Sequence, residues 1–205
     1  VFEEAEKINS EDAREQLSFI KSIMEDSQKV IADNGDGFIV WGILILTAGF
    51  GSMLLEYLQL DHFQGWLYLV IVGLGWLYMY TIHRNQEKCV LGNPWTKKII
   101  DSIWISVLLS MTILGFVGGY SGTIDLFRMT AVMYTVLGIA YFMQGIITGK
   151  TWVRNLGYGW WAGSTLLFFL KGWEAGVLAV LMMVGLQIVP GIIFNRQWKV
   201  QFSGE

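Results

Sequence analysis

Three serines recur every fourth residue, Ser102, Ser106 and Ser110, in a stretch otherwise rich in Ile, Val, Leu and Trp. On a helix that spacing lines one face with hydroxyls. Such a stripe serves either hydrogen bonding between helices or a polar path for a solute. Small residues at this spacing more often let helices pack closely. Two amides, Gln144 and Gln187, also sit in apolar surroundings, and Pro190 follows the second by one turn. Proline lacks a backbone donor and favours a kink. Broken helices mark the binding sites of some transporters. Ser102, Ser106, Ser110, Gln144, Gln187 and Pro190 are therefore the candidates for permeation.

A second group consists of charges near the ends of apolar runs: Glu56, Asp61, His62, Asp125, Arg128, Lys171 and Glu174. Glu56, Asp61 and His62 include metal-ligand types, but their spacing is not that of a helical histidine pair, so no metal site is expected. Asp125 and Arg128 stand one helical turn apart and can pair. Glu174 opens a run, where an acid suits the positive end of a helix dipole. No ionisable residue falls near the middle of an apolar run, where proton relays and voltage sensors carry theirs. Glycine-rich phosphate loops, the nucleophile elbow and the helical metalloprotease motif are all missing. The two histidines, His62 and His83, lie near run ends, so the serine stripe has no base beside it. The chain reads as a non-enzyme without a cofactor, and Cys89, the single cysteine, allows no intrachain disulfide.

These residues are carried by a chain of 205 residues, 54% hydrophobic and only 15% charged. A soluble domain has about 25% charged residues. The apolar residues fall into runs of about 20, the length of a membrane-crossing helix. The expected fold is all-α and integral to the membrane, with six spans near 38–59, 65–83, 99–119, 125–147, 156–171 and 174–195. Helices satisfy their own backbone in hydrocarbon, and these runs lack the alternation of a β-barrel. Twelve of the 14 Lys and Arg residues fall on one side if both termini are cytoplasmic, leaving Arg128 and Lys171 outside. The positive-inside rule then places both termini in the cytoplasm of a cell (inner) membrane. Trp66, Trp95, Trp152, Trp160, Trp161, Trp173 and Trp198 read as an aromatic belt at the membrane surfaces. The three hairpins also resemble one another faintly, aligning Trp41, Trp104 and Trp161 with one another, and Gly73, Gly138 and Gly185 likewise. A triplication is one reading of that rhyme.

Before the spans stands a segment of different character. Residues 1–37 hold ten acidic and four basic residues and no apolar core, so they are not expected to be a secretory signal. Within them Ala13, Leu17, Ile20, Met24 and Ile31 follow a heptad-type seam, widened by Phe19, Ile23 and Val30. Asn9 with Asp12 offers a helix start, and Asn34-Gly35 a stop. The seam spans three and a half heptads, so an isolated helix is marginal. Its acidity disfavours lying flat on an anionic leaflet. It is expected to contact a partner, another copy, or its own bundle, whose remainder carries net positive charge.

The domain reading is thus an amphipathic helix and joint at 1–37, a bundle at 38–195 and a tail at 196–205. The expected partners are the lipid bilayer and either further copies of the chain or the subunits of a membrane complex, not nucleic acid. The expected role is a scaffold, assembly or regulatory subunit, with a small oligomeric channel or transporter as the alternative.

Overall fold

A computed structural model describes Ser18 and residues 35–86, 94–119, 121 and 126–202. The contact candidates Ala13, Leu17, Ile20, Met24 and Ile31 lie outside the described residues, as do Asp125 and Cys89. The side chain of Asp61 also lies outside them.

Helix follows helix, with no strand among the described residues. Helix α1 runs Asp36–Tyr57, and a 3-10 turn Asp61–Phe63 leads into α2, Gln64–Gln86. Helix α3, Pro94–Ile113, continues as a π segment, Leu114–Gly118. Helices α4, Leu126–Ile147, and α5, Thr151–Phe169, follow. Helix α6, Trp173–Met182, passes through a second π segment, Met183–Ile188, into α7, Val189–Phe202. Long apolar sequences with few prolines have no local alternative that satisfies their amides.

Four stretches are long and apolar enough to cross a membrane: Asp36–Tyr57, Thr96–Gly118, Arg128–Ile147 and Trp173–Val200. The other two expected spans are helices as well, α2 with 23 residues and α5 with 19. Both carry Gly, Tyr and Trp where the four carry more aliphatic residues, which lowers their apolarity. Large apolar side chains such as Phe50, Met53, Trp66, Leu77 and Leu181 point away from the chain's own core. That outward face is what a lipid-embedded bundle presents.

Several boundaries differ from the sequence reading. Helix α3 begins at Pro94, where proline fits the first turn because its missing amide proton is not needed there. Helix α5 begins at Thr151, five residues before the expected start. That shift corrects one assignment: Trp160 lies deep in α5 and is fully buried, not part of a surface belt. Its neighbours on the buried face, Val153, Gly157, Ser164 and Leu167, are spaced as one helical stripe. Trp66 and Trp173 are exposed, as an aromatic belt requires. The helical path continues through Pro190 to Phe202, beyond the expected end. In the π segment before it, the Val189 amide donates to the Val184 carbonyl, five residues back. This wider turn accommodates the donor that proline lacks.

The closest helix contact is between α4 and α5, and glycine makes it possible. A Cβ at Gly145 would lie 2.2 Å from the Arg154 backbone nitrogen, and one at Gly157 would lie 2.9 Å from the Gly138 carbonyl oxygen. The Trp161 indole lies over Gly138 and donates to the Thr135 carbonyl at 3.1 Å. Ser164 adds a bond to the Ala131 carbonyl at 2.8 Å. The turn between the helices uses Gly149 at φ +66°, a conformation that costs glycine little. In the first hairpin the Trp41 ring lies over Gly75 of the following helix. Trp104 likewise reaches the following helix, whereas Trp161 turns back to the preceding one.

Candidate functional site

The two nominated glutamines end up on two neighbouring faces of the same core. Gln187 lies in the second π segment and is 4% exposed. Its Oε1 accepts a hydrogen bond from the Tyr141 hydroxyl of α4 at 2.8 Å. Its Nε2 donates to the Phe38 carbonyl of α1 over a longer 3.4 Å. Gln144 lies three residues after Tyr141 on α4 and is 3% exposed. Its Oε1 accepts from the Trp104 indole of α3 at 3.1 Å. The side chains between these bonds are aromatic. Phe38 meets Trp104 edge-on at 4.9 Å, and Trp104 meets Tyr141 edge-on at 5.3 Å. Four parts of the chain, α1, α3, α4 and the π segment, thereby converge on one polar and aromatic centre.

Tyr141 and Gln144 are three apart on α4, so both project to the same side. A tyrosine hydroxyl or an indole N–H in an apolar core needs an acceptor, and the glutamine carbonyls supply one each. The π turn sets the direction of Gln187, consistent with the frequent use of π segments to aim one side chain. The four groups are two amides, a phenol and an indole, and what they offer one another is hydrogen bonds.

The serine stripe does not join this centre. Ser102, Ser106 and Ser110 are exposed, and each hydroxyl donates to the carbonyl four residues back, on Lys98, Ser102 and Ser106, at 2.7, 2.7 and 2.8 Å. Their hydrogen-bonding capacity is turned onto their own helix. Pro190 is buried beside Gln187 without a polar role of its own. Glu56, His62, Arg128 and Glu174 are exposed, with the His62 ring against Phe63 at 4.1 Å. Among the described residues, no three His, Cys, Asp or Glu side chains gather as a metal would require.

The two ends of the bundle differ in charge. Gly35 packs against Gly191, Phe194 and Asn195, and the Asn195 amide donates to the Asp36 carboxylate. The Lys150 ammonium lies 5.4 Å from the centre of the Phe194 ring. The start of α1, the α4–α5 turn and the late part of α7 thus share one end. The Trp104–Gln144 bond, with Met133 against Gly115 further along, makes α3 and α4 antiparallel, which brings Lys97 and Lys98 to that end as well. Arg154, Arg196 and Lys199 complete it, while Arg128 and Lys171 lie at the other end with Glu56 and Glu174. Burial pushes the Lys150 ammonium below its ordinary pKa. The Arg154 Nε is buried without a hydrogen-bond partner, as are the indole nitrogens of Trp41 and Trp160.

Sequence reasoning singled out the glutamines but not Tyr141, Trp104 or Phe38. The signal for Tyr141 was its place one turn before Gln144. Nothing in the sequence linked Asn195 to Asp36, which are separated by most of the chain. No known family model matches this chain, and neither a curated protein nor a solved structure matches it.

Proposed function

We propose that the chain is a non-catalytic membrane subunit of scaffold, assembly or regulatory type. In this reading it crosses the cytoplasmic membrane six times and works through a contact helix at 10–33. One observation carries it: Gln144 and Gln187, the most suggestive polar residues of the core, are bonded to Trp104, Tyr141 and Phe38 on other helices. Groups held this way fasten helices together and are not free to bind a passing solute. Lengths of 23 and 19 residues for α2 and α5 support two further crossings, since about 20 helical residues span the hydrocarbon layer. The cationic end, with the start of α1 and the end of α7, supports cytoplasmic termini.

Removing residues 1–33 tests the contact role. The expected result is a smaller complex on native gels and loss of co-purifying subunits. An unchanged assembly size with unchanged partners counts against it.

A second reading, a small oligomeric channel or transporter, draws on the two π segments, which recur at functional sites. Flux into proteoliposomes that disappears on Gln187→Leu, with folding intact, would favour this reading over the first.

A further inference from the structure

The long helical path that starts at Trp173 is fastened to different parts of the bundle on the two sides of its π segment. Before the segment, α6 is held by α4 and α5. The Tyr134 hydroxyl donates to the Ala179 carbonyl at 3.1 Å, and a Cβ at Gly163 would lie 2.3 Å from the Met182 sulfur. After the segment, α7 is held by the start of α1. A Cβ at Gly35 would lie 2.2 Å from the Gly191 carbonyl oxygen, Phe38 stacks on Phe194 at 5.6 Å, and Asn195 bonds Asp36. Between the two holds, residues 183–190 combine a π turn with a proline, both features at which helices bend.

The other helices sort the same way. Helix α2 belongs with α1 and α7: Trp41 lies over Gly75, and the Ser52 hydroxyl donates to the Tyr68 hydroxyl at 3.1 Å. Helix α3 belongs with α4, α5 and α6 through the Trp104–Gln144 bond. The closest backbone approaches, Gly35 on Gly191, Gly145 on Arg154 and Gly157 on Gly138, each fall within one of these two bodies. Two of the described side-chain bonds between helices tie the bodies to each other, and they are the longest of the set. Trp76 Nε1 donates to Thr112 Oγ1 at 3.3 Å, and Gln187 Nε2 donates to the Phe38 carbonyl at 3.4 Å. Both lie beyond the usual range for an N–H donor, whereas Gln187 is tied to Tyr141 at 2.8 Å. The rings that meet across the boundary are Phe38 against Trp104 and Tyr141, and Trp152 against Phe194. Ring contacts of this kind carry no directed bond, so the packed surfaces can slide.

We propose that residues 183–190 are a hinge on which α1, α2 and α7 swing as one body against α3, α4, α5 and α6, with Gln187 as the catch. In the swing the glutamine keeps its bond to Tyr141 and releases the Phe38 carbonyl. Pro190 has no amide proton with which to stiffen the joint. The movement parts Phe38 from Trp104 and Tyr141, so Gln144 and Gln187 become reachable from the cationic end. A few residues at an element junction absorb such a change while the packed bodies stay intact. The hinge goes beyond the contact role read for residues 10–33, and loss of partner capture on their deletion bears on that role alone.

Spin-label distances on the full chain in nanodiscs test the proposal, on a Cys89→Ser background. Asn155→Cys with Gln197→Cys places labels on the two bodies at exposed positions. Ser102→Cys with Asn155→Cys reports within one body, and Thr81→Cys with Gln197→Cys within the other. The expected cross-body distribution holds a second, longer population of about a tenth, while each internal pair gives one narrow population. Thr112→Val removes one tie and raises the second population about fivefold, and Pro190→Ala supplies the missing amide and lowers it. Trp76→Phe removes the same tie from the other side should Thr112→Val misfold. A single narrow cross-body population in the parent and in the tie variants overturns the hinge. So does broadening of all three pairs together, because the bundle would then be loose throughout and not jointed.

Discussion

The Tyr141 hydroxyl donates to Gln187 Oε1 at 2.8 Å, joining α4 to the π segment before Pro190 inside a core that water does not reach. Each group is the other's satisfaction, and the bond closes the centre to which α1 and α3 also contribute.

Breaking that bond from one side leaves a polar group stranded. Tyr141→Phe is expected to destabilise the protein by about 1–2 kcal/mol, since the Gln187 carbonyl keeps its desolvation cost without a donor. Gln187→Leu removes the same bond and also the one donated to the Phe38 carbonyl, and is expected to cost at least as much. The double variant should lose less than the sum of the two, by roughly 0.5–1.5 kcal/mol of coupling. Reversible unfolding in detergent micelles measures all three. Strictly additive losses would mean the bond contributes nothing.

Helices α4 and α5 approach too closely for side chains at their crossing. Gly145→Ala puts a methyl group 2.2 Å from the Arg154 nitrogen and should cost about 1–3 kcal/mol as the helices are forced apart. Gly73→Ala places its methyl in open space and should be neutral or slightly stabilising, by the helix preference of alanine. The contrast in thermal midpoints is the measurement. Equal effects at the two positions would contradict the packing described.

Trp160 and Trp66 test burial against belt. Trp160 packs edge-on against Tyr134 at 4.8 Å and is fully buried, so Trp160→Ala should cost about 3–5 kcal/mol. Trp66 is exposed, and Trp66→Ala should leave fold stability in detergent nearly unchanged while weakening anchoring in a bilayer. Because the chain has ten tryptophans, quenching by a water-soluble agent is compared between the parent and each Trp→Phe variant in micelles: Trp66→Phe should remove quenchable emission, and Trp160→Phe should remove protected emission.

Lys150 gives the protein a pH signature. Because burial lowers its pKa in the folded state, the unfolded chain binds more protons between that lowered value and the ordinary lysine value of about 10.4. Stability should therefore rise with pH across that window and level off above it. High salt keeps exposed ion pairs from masking the effect. Lys150→Gln should flatten the rise. A parent whose stability shows no rise there, or one identical to the variant's, would mean the ammonium is fully hydrated.

The orientation is open to labelling in whole cells. On a Cys89→Ser background, a thiol at position 59, between α1 and α2, should react with an impermeant reagent from outside. One at Asn155 should react only after permeabilisation. The reverse pattern would invert the topology.

The sequence by itself determined that this is a helical protein with stretches fit for a membrane. Apolar composition, run length and the shortage of proline act locally, residue by residue, and they leave helix as the way to pair the backbone. The same local reasoning reached Gln144 and Gln187 as the unusual polar residues, because an amide in an oily run stands out without knowing its neighbours. What those amides do was decided only in three dimensions. Tyr141 lies 46 positions from Gln187, and Phe38 lies 149 positions away. Which helices touch is set by side-chain fit, as where Gly145 admits the backbone of Arg154, and no hydropathy pattern encodes that fit. The burial of Trp160 was hidden for a related reason. Its position in the helix depends on the Gly149 turn at φ +66° and a start at Thr151, where polar residues interrupt the apolar run but not the hydrogen-bonded path.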